Sequence, residues 1–572
     1  MSKPLQEYSK DELIALVKSL KKTKKFGLVW EEKPERVVLD CETKLPVLTE
    51  ADERVIAKAE DQPTNLIIEG DNYHSLSVLN YTHTDSVDII YIDPPYNTGN
   101  KDFIYEDRYV DRDDAYRHSK WLSFMNKRLK LAKGLLKDTG LIFISIDENE
   151  YAHLKILCDQ TFGANNFVNS FVWINNLKGR QISGLGAAGT HEYILAYAKN
   201  ATNVSQFEGS AQFLKGIMPS TYKGFDYKTK TDEHGEYVVK NELYNSNSIF
   251  NEHTRPNLVF DIYYSPKTGD VLCEDVSIDN LHKDYVKVSP KKNNSGRALY
   301  HAWRWSRKKV LAESYNLEFV KTSSGYKVYT KVRAVDTTIV KDVITDINTT
   351  SGTNDIKDIL PKGAFDFPKP VDLIKFVVSL TNNRDTVILD FFAGSGTTGH
   401  AVLELNKKDS GNRSFILCTN NENGIAENVT YERIKKVTEN IPANVRYFKT
   451  DFVNKQKTDD QTRLAIVDRC TDMIRIRENT FTEVLNEADF KLFKDANHYT
   501  AIIFDPLKIP EFIRRIEEID TTKPVSLYNF SYSSYAHDQD IPETVLDFTT
   551  CSIPESVLEV YKRIFKTENS NV

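Results

Sequence analysis

Asp93-Pro94-Pro95-Tyr96-Asn97-Thr98-Gly99 closes the apolar run Val87-Asp88-Ile89-Ile90-Tyr91-Ile92. Two prolines in succession stiffen the turn and remove two backbone donors. What is left is a pair of acceptors, the Pro94 carbonyl and the Asp93 carboxylate. An exocyclic amine on a flat ring carries two hydrogens and fits such a pair, and Tyr96 would stack on the ring. That amine is a poor nucleophile, because its lone pair is delocalised. Two acceptors would hold the nitrogen and stabilise the positive charge that grows as it attacks an electrophilic methyl group. A tight turn without chemistry is the bland alternative.

The second stretch is Asp390-Phe391-Phe392-Ala393-Gly394-Ser395-Gly396-Thr397-Thr398-Gly399, which closes the run Thr386-Val387-Ile388-Leu389. Glycines at Gly394 and Gly396 let the backbone turn tightly and approach a ligand closely. The spacing also matches a dinucleotide loop. Two features count against that reading: Asp390 would repel a pyrophosphate, and a hydride-transfer enzyme has no use for the Asp-Pro-Pro-Tyr turn. Asp390 suits the amino-acid part of S-adenosyl-L-methionine, whose sulfonium carries a transferable methyl group. Asp71 ends another apolar run, where it would accept from the amine of the cofactor adenine or merely cap a helix. After Phe415-Ile416-Leu417-Cys418, Asn420 or Glu422 would reach the ribose, and the residues leave that choice open.

These residues need a sheet to converge on. Apolar runs at 66–68, 87–92, 141–146, 191–198, 386–389 and 414–418 read as strands. Helical patterns fall at 120–137, 148–160, 371–380, 397–406 and near 426–438. Uniformly apolar strands alternating with helices point to an α/β fold, a mostly parallel sheet covered on both faces. The helix at 120–137 would show a basic face of Lys120, Lys127, Arg128, Lys130 and Lys133. Residues 10–26 read as a helix, 30–62 as irregular and wrapping, and Gly179–Gly189 as a mobile loop. The expected organisation is an N-terminal helix and wrapping segment at 1–62 and a catalytic half-domain at 63–202. An inserted mixed α+β module follows at 203–360, a cofactor half-domain at 361–449, and a small C-terminal domain or assembly arm at 450–572. In that last part Thr500–Phe504 and Thr544–Phe548 read as strands, Pro510–Ile519 and Glu555–Phe565 as helices.

The length of 572 residues calls for several domains. No run is long and apolar enough to suggest a membrane span, and the first residues lack a signal-peptide pattern. The six cysteines form no CxxC pair. They argue against a zinc site or a disulfide framework and for a reducing cytoplasm, and no metal ligands are assigned. A net charge of −7 hides an uneven distribution. Val288 to Arg333 holds eleven Lys or Arg against two acids, with aromatics interleaved, whereas the stretch from Asp451 onward is acidic. Lys291, Lys292, Arg307, Lys308 and Lys309 are the candidate phosphate contacts of a nucleic-acid surface, against the alternative of a solvated face. Trp303 and Trp305 read as local core before base-stacking residues.

Taken together the motifs resemble the adenine-N6 DNA methyltransferases of the β arrangement, in which the catalytic motif precedes the cofactor loop. The resemblance is in particular to the modification (Mod) subunits of type III restriction-modification systems and their solitary relatives. Asp102-Phe103-Ile104-Tyr105, Arg117-His118-Ser119-Lys120-Trp121, His191-Glu192-Tyr193-Ile194-Leu195 and Phe367-Pro368-Lys369-Pro370 also look like landmarks of that family. The resemblance implies an S-adenosyl-L-methionine-dependent methyltransferase fold with an inserted target recognition domain. Asp93, Pro94 and Tyr96 would be catalytic, acting on an adenine flipped out of duplex DNA. Asp71, Lys369, Asp390, Phe392, Gly394 and Gly396 would serve the cofactor. It further implies a homodimer, a short specific recognition sequence and a separate restriction subunit in some systems. Asn420 stands where a carboxylate is common in wider relatives.

Cytosine-N4 methyltransferases share the mechanism but usually carry Ser where this chain has Asp93, which favours adenine. An RNA methyltransferase would prefer unpaired RNA. A non-catalytic scaffold would show a damaged acceptor pair or cofactor loop, and both are intact.

Overall fold

A computed structural model of the chain describes residues 9–10, 28–59, 62–100, 102–105, 108–177, 187–222, 229–293, 299–323, 325–333, 337–467, 469–495, 497–519, 524–529 and 548–552. Most of the expected helix at 10–26, most of the glycine-rich loop at 179–189 and the helix expected at Glu555–Phe565 lie outside the described residues.

In chain order the elements that build the site are β1 (Lys44–Glu50), β2 (Thr64–Glu69), α1 (Asn72–Thr82), β3 (Val87–Ile92), α2 (Arg117–Leu135), β4 (Leu136–Ile146), α3 (Tyr151–Cys158), β5 (Phe167–Trp173), β6 (Glu192–Ala198), β7 (Val343–Ile344), α4 (Val371–Ser379), β8 (Val387–Asp390), α5 (Thr397–Asp409), β9 (Ser414–Thr419), α6 (Glu432–Asn440) and β10 (Asn444–Asn454). One sheet joins the strands in the order β1-β10-β2-β9-β8-β3-β4-β6-β5-β7, and Ile56–Ala57 pairs with β10. From β10 through β2, β9, β8 and β3 to β4 every neighbouring pair is parallel. Strands β1 and β6 pair antiparallel with their neighbours, so the sheet is mixed. The central strands are buried on both faces, and Val87, Ile89, Ile90 and Ile92 have no exposed surface. Such apolar strands need cover on each side, which the alternating helices supply.

Parallel pairing has a functional consequence. The carboxyl ends of β2, β9, β8, β3 and β4 share one edge, where open α/β sheets bind ligands. The residues just past or at those ends are Asp71, Asn420, Asp390, Asp93 and Asp147.

Several expectations need correction. The stretch 30–62 is not irregular throughout: Arg36–Thr43 is a helix and β1 a strand, with Leu45, Val47 and Leu48 buried. Pro46 hid that strand, and its place at the sheet edge is where a strand tolerates proline. The basic face of α2 does not exist as such. Arg128 is 1% exposed, and both Lys127 and Arg128 pair with the buried Glu35.

By its contacts the chain divides into two compact units, Met1–Phe207 with Lys341–Val572, and Glu208–Val340. Residues 341–360, which their texture placed with the insert, therefore group with the large sheet through β7 and the helix Thr349–Lys357. Strand β10 runs through the expected boundary at 450. Beyond it, Ile466, Met473, Phe493, Ile502 and Tyr528 join the hydrophobic cluster of the large sheet. A five-stranded sheet, including Tyr499–Ile503 and Phe548–Ser552, packs the helix Ile509–Glu517 over its own apolar cluster.

The second unit holds a four-stranded antiparallel sheet (Lys230–Asp232, Gly235–Glu242, Leu317–Thr322, Gly325–Val332) and a three-stranded one (Asp261–Tyr264, Val271–Glu274, Val286–Val288). Its core gathers Leu243, Phe260, Ile262, Val288, Trp303, Val310, Leu317 and Val328. Trp303 is 3% exposed and donates to the Phe260 carbonyl at 2.7 Å, while Trp305 packs against the same cluster. Trp303 is thus a core residue, and Trp305 is half-buried at the edge of that core.

Candidate active site

The Asp93–Gly99 turn leaves β3 and is fastened from α2. Trp121 Nε1 donates to the Pro95 carbonyl at 2.7 Å. Asn97, in the left-handed region at φ 57°, donates to the Arg117 carbonyl at 3.2 Å and to Glu150 Oε1 at 2.6 Å. The turn is therefore rigid before any ligand arrives, as catalysis by positioned acceptors requires.

Around the Asp93 carboxylate lies a compact charged cluster. The Tyr96 hydroxyl is 2.9 Å from Asp93 Oδ1 and 3.0 Å from Glu192 Oε2, with one proton to share between them. Lys369 Nζ donates to Tyr96 Oη at 2.8 Å and lies 3.1 Å from Asp93 Oδ1 and 3.2 Å from Glu192 Oε2. Burial pushes the Asp93 carboxyl up and Glu192 adds to it; Lys369 and the Tyr96 hydroxyl pull the other way without cancelling the rise. Burial disfavours the Lys369 charge, but Asp93 and Glu192 outweigh it and hold the ammonium on. Burial, then Asp93 and Glu192, keep the Tyr96 phenol protonated.

On the neighbouring β8, Asp390 is 3% exposed. Its Oδ1 accepts from the Phe392 N–H at 3.0 Å and its Oδ2 from the Thr398 hydroxyl at 2.5 Å, so it braces the glycine loop. Arg433, fully buried, donates to Ser395 Oγ at 3.0 Å and Thr397 Oγ1 at 2.9 Å and holds the loop from the far side. Gly394 (φ 50°) and Gly396 (φ 75°) both lie in the left-handed region, and a Cβ on Gly394 would sit 3.0 Å from the Phe365 ring.

Burial raises the Asp390 carboxyl from 3.8 to about 7. Between those values the folded chain keeps a proton that the unfolded chain has released. The group's stabilising contribution is therefore full below about pH 4 and lost as the pH rises to about 7. Asp390→Asn removes that titration and keeps the shape. In thermal melts from about pH 4 to 8, the variant should gain on the wild-type chain as the pH rises. A difference that does not change with pH would contradict this.

Between the two motifs lies a cavity of ≈ 390 Å³. Phe103, Phe124 and Phe392 give it aromatic walls, and Asp71, Asn420 and Glu422 put acceptors on its rim. Asp71 also caps α1, accepting from the Tyr73 N–H at 2.7 Å, with Arg128 Nη2 at 3.4 Å. The capping alternative is thus realised, yet Asp71 still faces the cavity. Asn420 and Glu422 both line it, and neither is singled out.

The turn, the braced loop and most of the cavity lining lie in a region with a known counterpart. A DNA methylase family model matches residues 87–430, more than half of the chain. The chain belongs to this DNA methylase family. The type III restriction-modification enzyme EcoPI Mod subunit of Escherichia phage P1 is 35% identical over 391 residues, covering 63% of this chain and 58% of its own. The type II methyltransferase M.KpnI of Klebsiella pneumoniae is 32% identical over 402 residues, covering 68% of this chain and 89% of its own. The type III StyLTI Mod subunit of Salmonella typhimurium is 31% identical over 484 residues, covering 74% and 66%. The chain therefore spans less than two thirds of the length of these Mod subunits.

The residues that the sequence assigned to the cofactor divide in two. Asp71, Phe392, Asn420 and Glu422 line the cavity, whereas Lys369, Asp390, Gly394 and Gly396 do not. Lys369 instead sits in the Asp93 cluster, because the chain after Phe367 (φ 55°) turns its side chain towards β3 and β6. Glu192 received no role from its residue type alone. A carboxylate opening the apolar strand Glu192–Ala198 was the available signal, and Asn175 Nδ2 fixes it at 2.8 Å.

The basic residues of the second unit are less open than their sequence implies. Arg307 pairs with Asp275, Lys309 lies 3.8 Å from Glu313 and 4.7 Å from the Trp305 ring, and Lys291 Nζ donates to Tyr244 Oη at 2.9 Å. Lys291, Lys292, Lys308 and Lys309 are nevertheless exposed, and Arg307 is half-buried.

Proposed function

We propose that this protein is a site-specific DNA methyltransferase that uses S-adenosyl-L-methionine and modifies the exocyclic N6 amine of adenine in duplex DNA. The observation that carries the reading is the pairing of Asp93 and Tyr96, at the end of β3, with the braced glycine loop at the end of the adjacent β8. The cavity beside them fits the adenosine part of the cofactor: aromatic walls for a flat base, and Asp71, Asn420 and Glu422 as acceptors for its amine and ribose hydroxyls. When bound, S-adenosyl-L-methionine supplies an electrophilic methyl group on a positively charged sulfur.

The chain's own part is electrostatic. Asp93 and the Pro94 carbonyl accept from the two hydrogens of the target amine, hold its lone pair towards the methyl group and stabilise the ammonium that forms. Lys369 Nζ, itself an N–H donor 3.1 Å from Asp93, marks where that amine would sit and must move aside for it. Tyr96 would stack on the flipped base, since the amine inside a duplex cannot meet the methyl group in line. Adenine is favoured over cytosine by the carboxylate at Asp93; cytosine-N4 methylation is the alternative. A separate restriction subunit belongs to the same proposal by likeness to the Mod subunits, a homodimer by the resemblance of the motifs, and a cytoplasmic setting by the spacing of the cysteines. No described helix is long and apolar enough to cross a membrane.

Equilibrium dialysis against labelled S-adenosyl-L-methionine, followed by addition of mixed-sequence duplex DNA or RNA, tests the reading. Cofactor binding with label passing to duplex DNA is expected; binding with transfer to RNA alone would refute it.

For the second unit, replacing Arg307, Lys308 and Lys309 together by Ala should weaken binding to all duplexes about equally. It should also flatten the dependence of affinity on salt, since each lost phosphate contact releases roughly one counterion fewer. Fluorescence anisotropy from about 50 to 300 mM salt reads both quantities. An unchanged slope and affinity would mean a solvated face, and the Asp275 and Glu313 pairings make this the sharper question for Lys308.

A further inference from the structure

Behind the catalytic turn, three side chains from two helices meet. His118 lies in the first turn of α2, Glu150 caps α3, and His153 lies within α3. One ligating atom from each lies within 4.8 Å of the other two. The imidazole rings are 4.5 Å apart.

The state of Glu150 makes this cluster unusual. Its side chain has no exposed surface. Its Oε1 accepts from Asn97 Nδ2 at 2.6 Å and faces His118 Nδ1 at 2.6 Å. Its Oε2 has no hydrogen-bond partner, and neither has His153 Nδ1, although the two atoms are only 3.0 Å apart. The two atoms lie at ion-pair distance but outside hydrogen-bond geometry. A buried carboxylate oxygen without a donor costs free energy that a cation would recover. The histidines are 39% and 33% exposed, so the side away from Glu150 is open to water.

We propose that His118, Glu150 and His153 form a site for a divalent transition-metal ion. Two imidazoles and one carboxylate, with water completing a tetrahedron, suit zinc best; magnesium and calcium prefer all-oxygen shells. Metal–ligand distances of about 2.0–2.2 Å place tetrahedral ligand atoms roughly 3.3 Å apart. The 3.0 Å and 2.6 Å contacts to Glu150 lie near that spacing, and the histidine–histidine separation, within 4.8 Å, closes by side-chain rotation as the ion enters. Binding through His118 Nδ1 puts the ring proton on Nε2, where Arg117 Nε now donates at 3.1 Å, so Arg117 swings outward on loading. The ion's place in the enzyme follows from Asn97. Glu150 holds Asn97, the residue after Tyr96, so a metal that locks Glu150 braces the catalytic turn from behind without touching substrate.

The test uses the full chain, stripped with chelator and titrated with Co²⁺, whose visible absorption reports four-coordinate nitrogen and oxygen ligation. One cobalt per chain is expected, displaced by Zn²⁺. His153→Ala should weaken uptake by at least about tenfold, since even loss of a residue that merely supports a ligand costs that much. His118→Gln and His153→Gln keep the bulk at partly exposed positions and should do the same, with circular dichroism confirming the fold. Zn²⁺ should raise the melting temperature of the wild-type chain and not of the variants. Absence of cobalt bands in the wild-type chain would overturn the proposal. So would bands that survive all three substitutions, which would place the ion elsewhere, the cysteines included.

Discussion

Asp93→Asn should lower methyl transfer at least about 10²–10³-fold, the usual effect of removing one positioned electrostatic group, while leaving cofactor affinity nearly unchanged. The substitution keeps the shape of the turn but exchanges one acceptor oxygen for an N–H₂ group. That group would then face the target amine donor to donor, or, if flipped, leave the developing ammonium without its counter-charge. Cofactor affinity should survive because Asp93 does not line the cavity. Stability should survive too, since Lys369 keeps Glu192 as a partner at 3.2 Å and Trp121 still holds the turn through Pro95. Single-turnover transfer and calorimetric titration with S-adenosyl-L-methionine measure the two quantities separately. A large loss of cofactor affinity would show that Asp93 belongs to the cofactor rather than to the base.

Lys369→Met should displace the acidic limb of the rate–pH profile towards higher pH. Lys369 is the cation that opposes the effects of burial and of Glu192 on the Asp93 carboxyl. Without it, two carboxylates face one another across the Tyr96 hydroxyl, and the cheaper state at moderate pH has a proton on one of them. A protonated Asp93 is a poor acceptor, so transfer falls where the proton is held and recovers as the pH rises. The loss should be largest at the acidic end of the profile and shrink as the pH rises. Glu192→Gln on the Lys369→Met background should move the limb back, since it removes the second charge. A rate lowered by the same factor at every pH, with no rescue by Glu192→Gln, would mean that Lys369 only packs.

Much of this was readable from residues alone, and the rest was hidden for definable reasons. Strands β3, β4, β8 and β9 declare themselves because a strand buried on both faces is apolar throughout. Their parallel order then puts Asp93 and Asp390 on one edge, which the two motifs also imply. Strand β1 stayed hidden behind Pro46, since a sheet edge tolerates what a sheet centre does not. The basic residues of α2 misled because local spacing cannot show a distant partner: Glu35, far back in the chain, takes both Lys127 and Arg128. Lys369 misled in a similar way. Its motif lies next to the cofactor loop in sequence, but the left-handed turn at Phe367 sends the side chain to Asp93 and Glu192. In the cluster of His118, Glu150 and His153 the last two are a compact i,i+3 pair, but His118 joins them only through the meeting of α2 and α3 in three dimensions.

The most direct test of the central claim is the identity of the methylated nucleoside. Duplex DNA of mixed sequence, incubated with the protein and methyl-labelled S-adenosyl-L-methionine, is digested to nucleosides and separated by chromatography with mass detection. The account predicts that the label sits in N6-methyldeoxyadenosine and that Asp93→Asn lowers it by the factor given above. Label in N4-methyldeoxycytidine would contradict the choice of base while keeping the chemistry, and no labelled nucleoside from a chain that binds the cofactor would contradict the account as a whole.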